Sequence, residues 1–543
     1  MQKPNYYNDF LDLSILLIIS TLILFSCKSK DENKNNTIKQ NVSAKEFYNL
    51  VVNNPSFEKN NFGESFAWHS AVYSEYFVEA YRAWQDTSWL NYGVKYYDFM
   101  LSKTFVGPDG YRGLIGPNFR AKNKSWSNEE VSDGLLARPL LEFAELVLAD
   151  KELAKIYGNK ANEYVEFAKK HIIEKWDKRN LYIEIGEYSD FIFGQNFMVP
   201  NNPSEWTTDS SPNPFMSQKY NIANKLGQVC LRLYRITKDE VYRSKAEKLF
   251  FRLKSDFQYF DNHYVWFYWS PFYDKDILFE KNNTNHWADI HPYRAGYKKV
   301  EVEEIVEAYH SGVVFSETDI KRIINTNMEV MWNKDFESPA FISCNGKKPD
   351  TTGTAQFLKK YSTGNSKKYM GTLWSSLIDF DDRVRKIYEH EIANEPSGNK
   401  VALLAHKIER AYFYNCVNRE KPSFNRKFAD GLRVIVKDAP FGNSDELTHA
   451  SVIPYIIKKG ENSFVVSKTA ARGTLNVDLY SNDGKNKIAN LYNDVLAGNE
   501  EGVDQYQMFK FDGRDKENNF SGKYRIRWTL NNKFREREIE IIK

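Results

Sequence analysis

Residues 131–172 read VSDGLLARPLLEFAELVLA, then DKE, then LAKIYGNKANEYVEFAKKHI. On each side of DKE, apolar residues return every three or four positions, the spacing that gives a helix one apolar face. The acidic turn between them ends one helix and offers a cap to the next. The stretch therefore predicts a helical hairpin. The same unit recurs. Residues 66–84, FAWHSAVYSEYFVEAYRAW, lead through QDTS into WLNYGVKYYDFMLSK. Residues 218–236, QKYNIANKLGQVCLRLYRI, lead through TKDE into VYRSKAEKLFFRLKSDF. Residues 298–312, KKVEVEEIVEAYHSG, lead through FSETD into IKRIINTNMEVMW, and a last pair spans 368–392 and 400–418.

Such a series forms either an open solenoid or an (α/α) toroid. The links favour closure. Residues 103–129, 177–216 and 258–297 are long, aromatic and polar, whereas a solenoid has short, uniform links. Long loops between rigid helices usually carry function, and in a toroid they gather at one end and wall a cleft. The expected fold is mainly α: an (α/α) toroid of helical hairpins over residues 46–420, then a small C-terminal β-sandwich.

The sandwich is read from a change of period. From about Ser463, SFVVSKTAARGTLNVDLYSNDGKNKIANLYNDVLAG and YQMFKFDGRDKENNFSGKYRIRWTLNNKFREREIEIIK alternate between glycine-containing turns, the pattern of short strands. The pieces VDLYSNDGKNKIANL, FDGRD and SGKYRIRW resemble the Ig-like module found at the C-terminus of many secreted bacterial enzymes. The module is assigned to 463–543, with 421–462 as its link.

At the other end, LSILLIISTLILFS precedes Cys27. The apolar run is short for a membrane span and suits a signal-peptide core. LFSC resembles a bacterial lipobox, which implies cleavage after residue 26 and lipid on Cys27. Asp9 and Asp12 depart from the usual basic start. Lys30-Asp31-Glu32 resembles the acidic tag of surface-exposed Bacteroidetes lipoproteins. The expectation is an outer-membrane lipoprotein facing the cell surface, tethered through polar residues 27–45.

Composition narrows the class of partner. A formal net charge of +3 over 543 residues, with no basic block, gives no electrostatic case for nucleic acid. Aromatics reach 15%, which serves either core packing or the stacking of sugar rings. There is no CxxC, HExxH, EF-hand loop, glycine-rich phosphate loop or GxSxG, so no metal and no cofactor are expected. Cys230 and Cys416 lie in apolar helical patterns and read as packed thiols.

The densest chemistry lies in residues 285–297, NHWADIHPYRAGY. His291 and Tyr293 are candidates for proton transfer, and Arg294 and His286 for holding a carboxylate. Trp287 can stack a sugar, and Asp289 either orients a histidine or caps a turn. Elsewhere, His69 and Tyr73 fall on one helical face with Tyr76, as a second proton-transfer pair or as core packing. Arg138 sits on an apolar helix, where its charge needs Glu142 or a substrate carboxylate. Asn213 is a candidate ligand for substrate. Trp266 and Tyr268 alternate, as a sugar platform or as strand packing. Asp133, Asp209 and Asp289 are the alternative acid/base carboxylates.

DGLLARP, SPNPF with YNIANKLGQVCLRLYRIT, and ADIHPY resemble the carbohydrate-active toroids of Bacteroidetes polysaccharide utilisation, above all the ulvan-type lyases and oligosaccharide dehydratases. The resemblance implies a carbon–oxygen lyase on uronate-containing oligo- or polysaccharides. A His/Tyr pair would move protons while Arg, Asn or His neutralises the carboxylate. The alternatives are a glycoside hydrolase using paired aspartates, and a non-enzymatic surface glycan-binding lipoprotein.

Overall fold

The computed structural model describes residues 37–53, 63–117, 126–193, 197–199, 202–207, 215–260, 262–278, 283–284, 295–341, 371–396, 398–425, 433–438, 447, 449–469, 471–498, 505–515 and 518–543. The expected hairpins are present, except that in the last pair, read over 368–392 and 400–418, the first α-helix begins only at Asp382, after the 3-10 turn Ser375–Asp379. The helices are α1 (Ala44–Val52), α2 (Gly63–His69), α3 (Glu75–Trp84), α4 (Ser88–Ser102), α5 (Glu130–Ala149) and α6 (Lys151–Phe167). They continue with α7 (Tyr220–Thr237), α8 (Glu240–Ser255), α9 (Ala295–His310), α10 (Glu317–Asn325), α11 (Asp382–Ala393) and α12 (Lys400–Tyr412).

The acidic turns do what their chemistry predicts. Asp150 accepts from the backbone N–H groups of Glu152 and Leu153, and Asp239 accepts from that of Val241. Ser316 and Asp319 form a reciprocal capping box. Each satisfies donors that a helix start leaves open.

Burial separates two layers. Every residue of α7 from Tyr220 to Tyr234 is buried, and so is every residue of α5 from Glu130 to Leu141. A helix buried all round belongs to the interior. Helices α6 and α8 expose one face and lie outside. The inner helices pack in order: α3 on α5, α5 on α7, α7 on α9, then α9 on the turn Ser375–Asp379 that precedes α11. Helix α12 returns to α3, so the series closes into a ring. Close approach of α5 and α7 depends on Gly134, where a Cβ would come within 2.7 Å of the Lys225 Cβ.

One predicted helix is broken. The stretch 66–84 divides at Ser70–Ser74 into α2, a short 3-10 turn (Ala71–Tyr73) and α3. The Ser74 hydroxyl donates to the Ala71 carbonyl, the local serine-to-backbone bond that competes with a continuous helix.

The C-terminal unit begins earlier than the alternation suggests. Its strands are β1 (His449–Ile453), β2 (Ile456–Lys458), β3 (Ser463–Thr469), β4 (Gly473–Ser481), β5 (Lys487–Leu496), β6 (Gln505–Phe511), β7 (Gly522–Leu530) and β8 (Lys533–Ile542). β1 and β2 fall within the span read as a link, because Pro454 cuts their apolar run into two short pieces. One sheet is β1-β3-β6 and the other is β2-β8-β7-β4-β5. Val465, Leu475, Val477, Trp528 and Ile539 belong to one core shared by both sheets.

This unit is fastened to the ring by charge. Arg537 Nη2 donates to Asp256 Oδ1 at 3.1 Å, and Arg535 Nη2 donates to Gln258 Oε1 at 3.0 Å. The Tyr455 hydroxyl donates to the Ile185 carbonyl at 2.7 Å. No helix among the described residues is long and apolar enough to cross a membrane.

Candidate active site

Helical spacing brings charge to the ring interior. On α3, Glu75, Glu79 and Arg82 follow at i, i+4 and i+7 and share a face. α5 contributes Arg138 and Glu142, α7 Arg232, α9 Glu303, and α12 Glu409 and Tyr412. With Tyr76 and Tyr388 they line a cavity of about 360 Å³, within the size range of small-molecule sites.

The guanidiniums are all engaged. Arg82 donates to Glu142 at 2.6 Å. Arg232 meets Glu307 through Nε at 2.8 Å and donates to the Arg138 carbonyl at 2.8 Å. Arg138 Nη2 lies 2.5 Å from Glu303 Oε1 and 3.0 Å from Glu75 Oε1. Those two carboxylate oxygens are therefore no farther apart than the sum of the two distances.

That shared arginine sits between carboxyls whose pKa values are shifted in opposite directions. Burial raises the Glu75 pKa, and the neighbouring charges of Glu142 and Glu303 add to it against Arg138. Burial acts the same way on Glu303, but Arg138 and Lys225 outweigh it and hold the carboxyl down at about 2. Both side chains keep access to solvent, with 32% and 40% of their surface exposed. A carboxyl whose pKa is raised beside one whose pKa is lowered is the pairing from which an acid and its ionised partner are drawn.

One turn along α3, burial lifts the Glu79 carboxyl well above its ordinary range, helped by Glu142, Glu75 and Glu409. Its Oε2 is buried and has no hydrogen-bond partner among the described residues. Burial and the adjacent carboxylates Glu79 and Glu409 keep Tyr76 protonated, and burial with Glu409 does so for Tyr388.

Arg138 lines this cavity, and so do Tyr76 and Glu142, which the sequence places beside the candidate residues. The charge partners of Arg138 are Glu75 and Glu303, not Glu142, because Glu142 turns to Arg82. His286, Trp287, Asp289, His291, Tyr293, Arg294, Asp209, Asn213 and Cys27 lie outside the described residues. His69 and Tyr73 do not share a helical face with Tyr76, since the chain breaks between them. His69 is exposed with Nδ1 2.8 Å from the Ser65 carbonyl, and Tyr73 packs against Tyr76 at 6.3 Å between ring centroids.

Asp133 is buried in a structural pair. Lys175 lies 2.6 Å from it, and Trp176 Nε1 donates to it at 2.9 Å. Trp266 and Tyr268 do not form one platform, because the strand ends at Val265. Trp266 is buried in the ring core with its Nε1 donating to Glu301 at 2.7 Å. Tyr268 is stacked on Tyr297 at 5.1 Å, in a separate cluster with Ile453 and Val466 of the C-terminal unit.

The site depends on glutamates that are far apart in sequence. The signal that could have found them is the one that marked Arg138. Glu79, Glu142 and Glu303 also stand on helices whose neighbouring positions are buried.

No family model matches the chain, and no curated protein matches it. Among solved structures, a family 76 glycoside hydrolase from a bovine Bacteroides thetaiotaomicron strain is similar at 13% identity, over 41% of this chain and 39% of that one, with a TM-score of 0.23. A family 76 glycoside hydrolase (mannosidase) from B. thetaiotaomicron VPI-5482 is similar at 10% identity, over 65% of this chain and 71% of that one, with a TM-score of 0.31. The Pseudomonas fluorescens alkylpurine DNA glycosylase AlkC, bound to DNA containing an abasic-site analog, is similar at 15% identity, over 35% of this chain and 52% of that one, with a TM-score of 0.14. The chain spans about two-fifths of the first of these proteins. Likeness at this level leaves the reading of the site to its own geometry.

Proposed function

We propose that the chain is a carbohydrate-active enzyme that hydrolyses glycosidic bonds in the ring cavity. Glu75 serves as the general acid and Glu303 as the ionised partner. The observation that carries the reading is Arg138, which holds within one short span two carboxyls whose pKa values are shifted in opposite directions. In glycoside hydrolysis the leaving oxygen needs a proton and the sugar carbon needs a carboxylate or an activated water.

The lyase reading needs a base with a depressed pKa and a free cation for the uronate. In this cavity Tyr76 and Tyr388 are held protonated, and Arg82, Arg138 and Arg232 already face glutamates. These facts favour hydrolysis over β-elimination there.

The test is product analysis on a panel of neutral, amino and uronic oligosaccharides, by mass spectrometry and ultraviolet absorbance. Gain of one water with no new double bond is the expected result. A product absorbing as a conjugated unsaturated sugar would falsify the assignment. The lipid anchor on Cys27 and the cell-surface position are also proposed, from the lipobox-like sequence alone. Radiolabelled palmitate should enter the chain and fail to enter a Cys27→Ser variant.

A further inference from the structure

The Glu75–Glu303 pair accounts for half of the cavity. The other half is made by Glu79 and Glu409 with the rings of Tyr76, Tyr388 and Tyr412. Glu409 accepts the Tyr388 hydroxyl, while Glu79 Oε2 is buried with no donor to meet it among the described residues. A buried acceptor left open costs about 1–3 kcal/mol, so a donor from outside is the natural complement.

The charges around it say which donor. The lining carries five glutamates against three arginines and the solvent-exposed Lys299. Each of those arginines faces a glutamate: Arg82 with Glu142, Arg138 with Glu75 and Glu303, Arg232 with Glu307. A uronate or sulfate here would meet Glu79 and Glu409 with no uncommitted guanidinium. No group of three acidic, histidine or cysteine side chains among the described residues is arranged to hold a metal ion, so an organic cation fits better. A protonated amine has three donors and no acceptor, and aromatic faces attract it.

We propose that the Glu79 end of the cavity recognises a free amino group, and that the sugar cleaved at Glu75 and Glu303 is a basic amino sugar. The inference rests on the hydrolase reading for its second half only. Glu75 and Glu79 stand one helical turn apart, with Cβ atoms roughly 5–6 Å from each other, so the two carboxyls can meet different groups of one sugar ring. Burial, with Glu142, Glu75 and Glu409, lifts the Glu79 carboxyl well above its ordinary range. An ammonium opposes that shift, so binding favours loss of a proton to solvent.

The experiment is isothermal titration of the full chain near pH 7 in buffers of different ionisation enthalpy. The probes are methyl glycosides of the free-amine sugar, its N-acetyl form, the neutral sugar and the uronic acid, in gluco and manno series. The expected result is at least tenfold tighter binding of the amine with release of about one proton. Glu79→Gln should remove the preference and the proton release; Glu409→Gln serves if the first variant does not fold. Equal binding of the amine and the neutral sugar, or tighter binding of the uronate, overturns the proposal. Cleavage of neutral glycans without amine preference overturns this inference and leaves the hydrolase standing. Amine preference with no cleavage of any glycan supports the recognition site and removes the hydrolase. Absence of binding by every probe removes both.

Discussion

Glu75 and Glu303 stand on different helices and reach the same nitrogen of Arg138, at 3.0 and 2.5 Å. One arginine thus fixes the spacing of the two carboxyls. It lowers both pKa values, while Lys225 adds to the effect on Glu303 only, and burial dominates at Glu75.

Loss of either carboxyl should remove most turnover. Glu303→Gln and Glu75→Gln are each expected to lower kcat by about 10²–10⁴-fold, the usual worth of a positioned acid or base. Arg138→Lys should also lower kcat, since one ammonium cannot hold both glutamates in the same geometry. Steady-state rates on the best cleaved glycan check all three.

The short separation predicts the stereochemical course. Retaining enzymes place their carboxyls about 5–5.5 Å apart, and inverting enzymes leave about 6.5–9.5 Å for a water. The limit set by Arg138 falls in the first class. Proton NMR of the first-formed product should show the anomer of the substrate; the opposite anomer means water attacks directly.

The pH profile should be bounded by the two carboxyls. Activity needs Glu303 ionised, which holds above about 2, and Glu75 protonated, which holds below its raised pKa. Glu142 helps to raise Glu75. Glu142→Gln removes that charge, so the alkaline limb of kcat/KM should move to lower pH. A limb that stays in place assigns the acid to another group.

Asp133 should matter for folding and not for turnover. It and Lys175 are fully buried partners, and burial brings the lysine down to about 8 even beside the aspartate. Breaking one side of a buried pair leaves the other uncompensated, at a cost of about 3–5 kcal/mol. Thermal melts of Asp133→Asn should show that loss, while the folded fraction cleaves at the parent rate.

His449 should make the fold sensitive to mild acid. Burial lowers its pKa to about 3, against the pull of Asp256 and with the help of Arg537, Lys468 and Arg535. The unfolded chain, near 6.5, binds the proton more readily. Stability from the neutral ring is therefore complete above pH 6.5 and is lost as pH falls toward 3, by at most about 1.4 kcal/mol per unit. Melting curves of the parent and His449→Gln should converge in slope above pH 7 and diverge below 6.

The hairpins were legible because caps and apolar periodicity are local. Asp150, Asp239 and Ser316 announce helix starts in the sequence and cap them in the structure. The cavity was not legible, because its glutamates come from α3, α5, α9 and α12 and meet only after the ring closes. In sequence, EVEEIVE is simply part of a predicted helix. In the fold, Glu301 and Glu304 are buried while Glu303 reaches Arg138. The dense loop 285–297 drew attention because its chemistry is contiguous, whereas the cavity gathers single residues separated by up to a few hundred positions.

Asp256 and Gln258 lie where α8 runs out of the ring, and both spend a hydrogen-bonding group on β8, the last strand of the chain. A ring expressed without its tail would leave Asp256 with the Tyr220 hydroxyl but without Arg537, and a tail grafted elsewhere would keep the Arg535 and Arg537 bonds to Leu447 and Ala450 but lose those to Gln258 and Asp256. Gene fragments that trade domains at residue 446 should thus fail as pairs of strangers. The cluster of Tyr268, Ile453 and Val466 packs ring and tail together between their two larger cores.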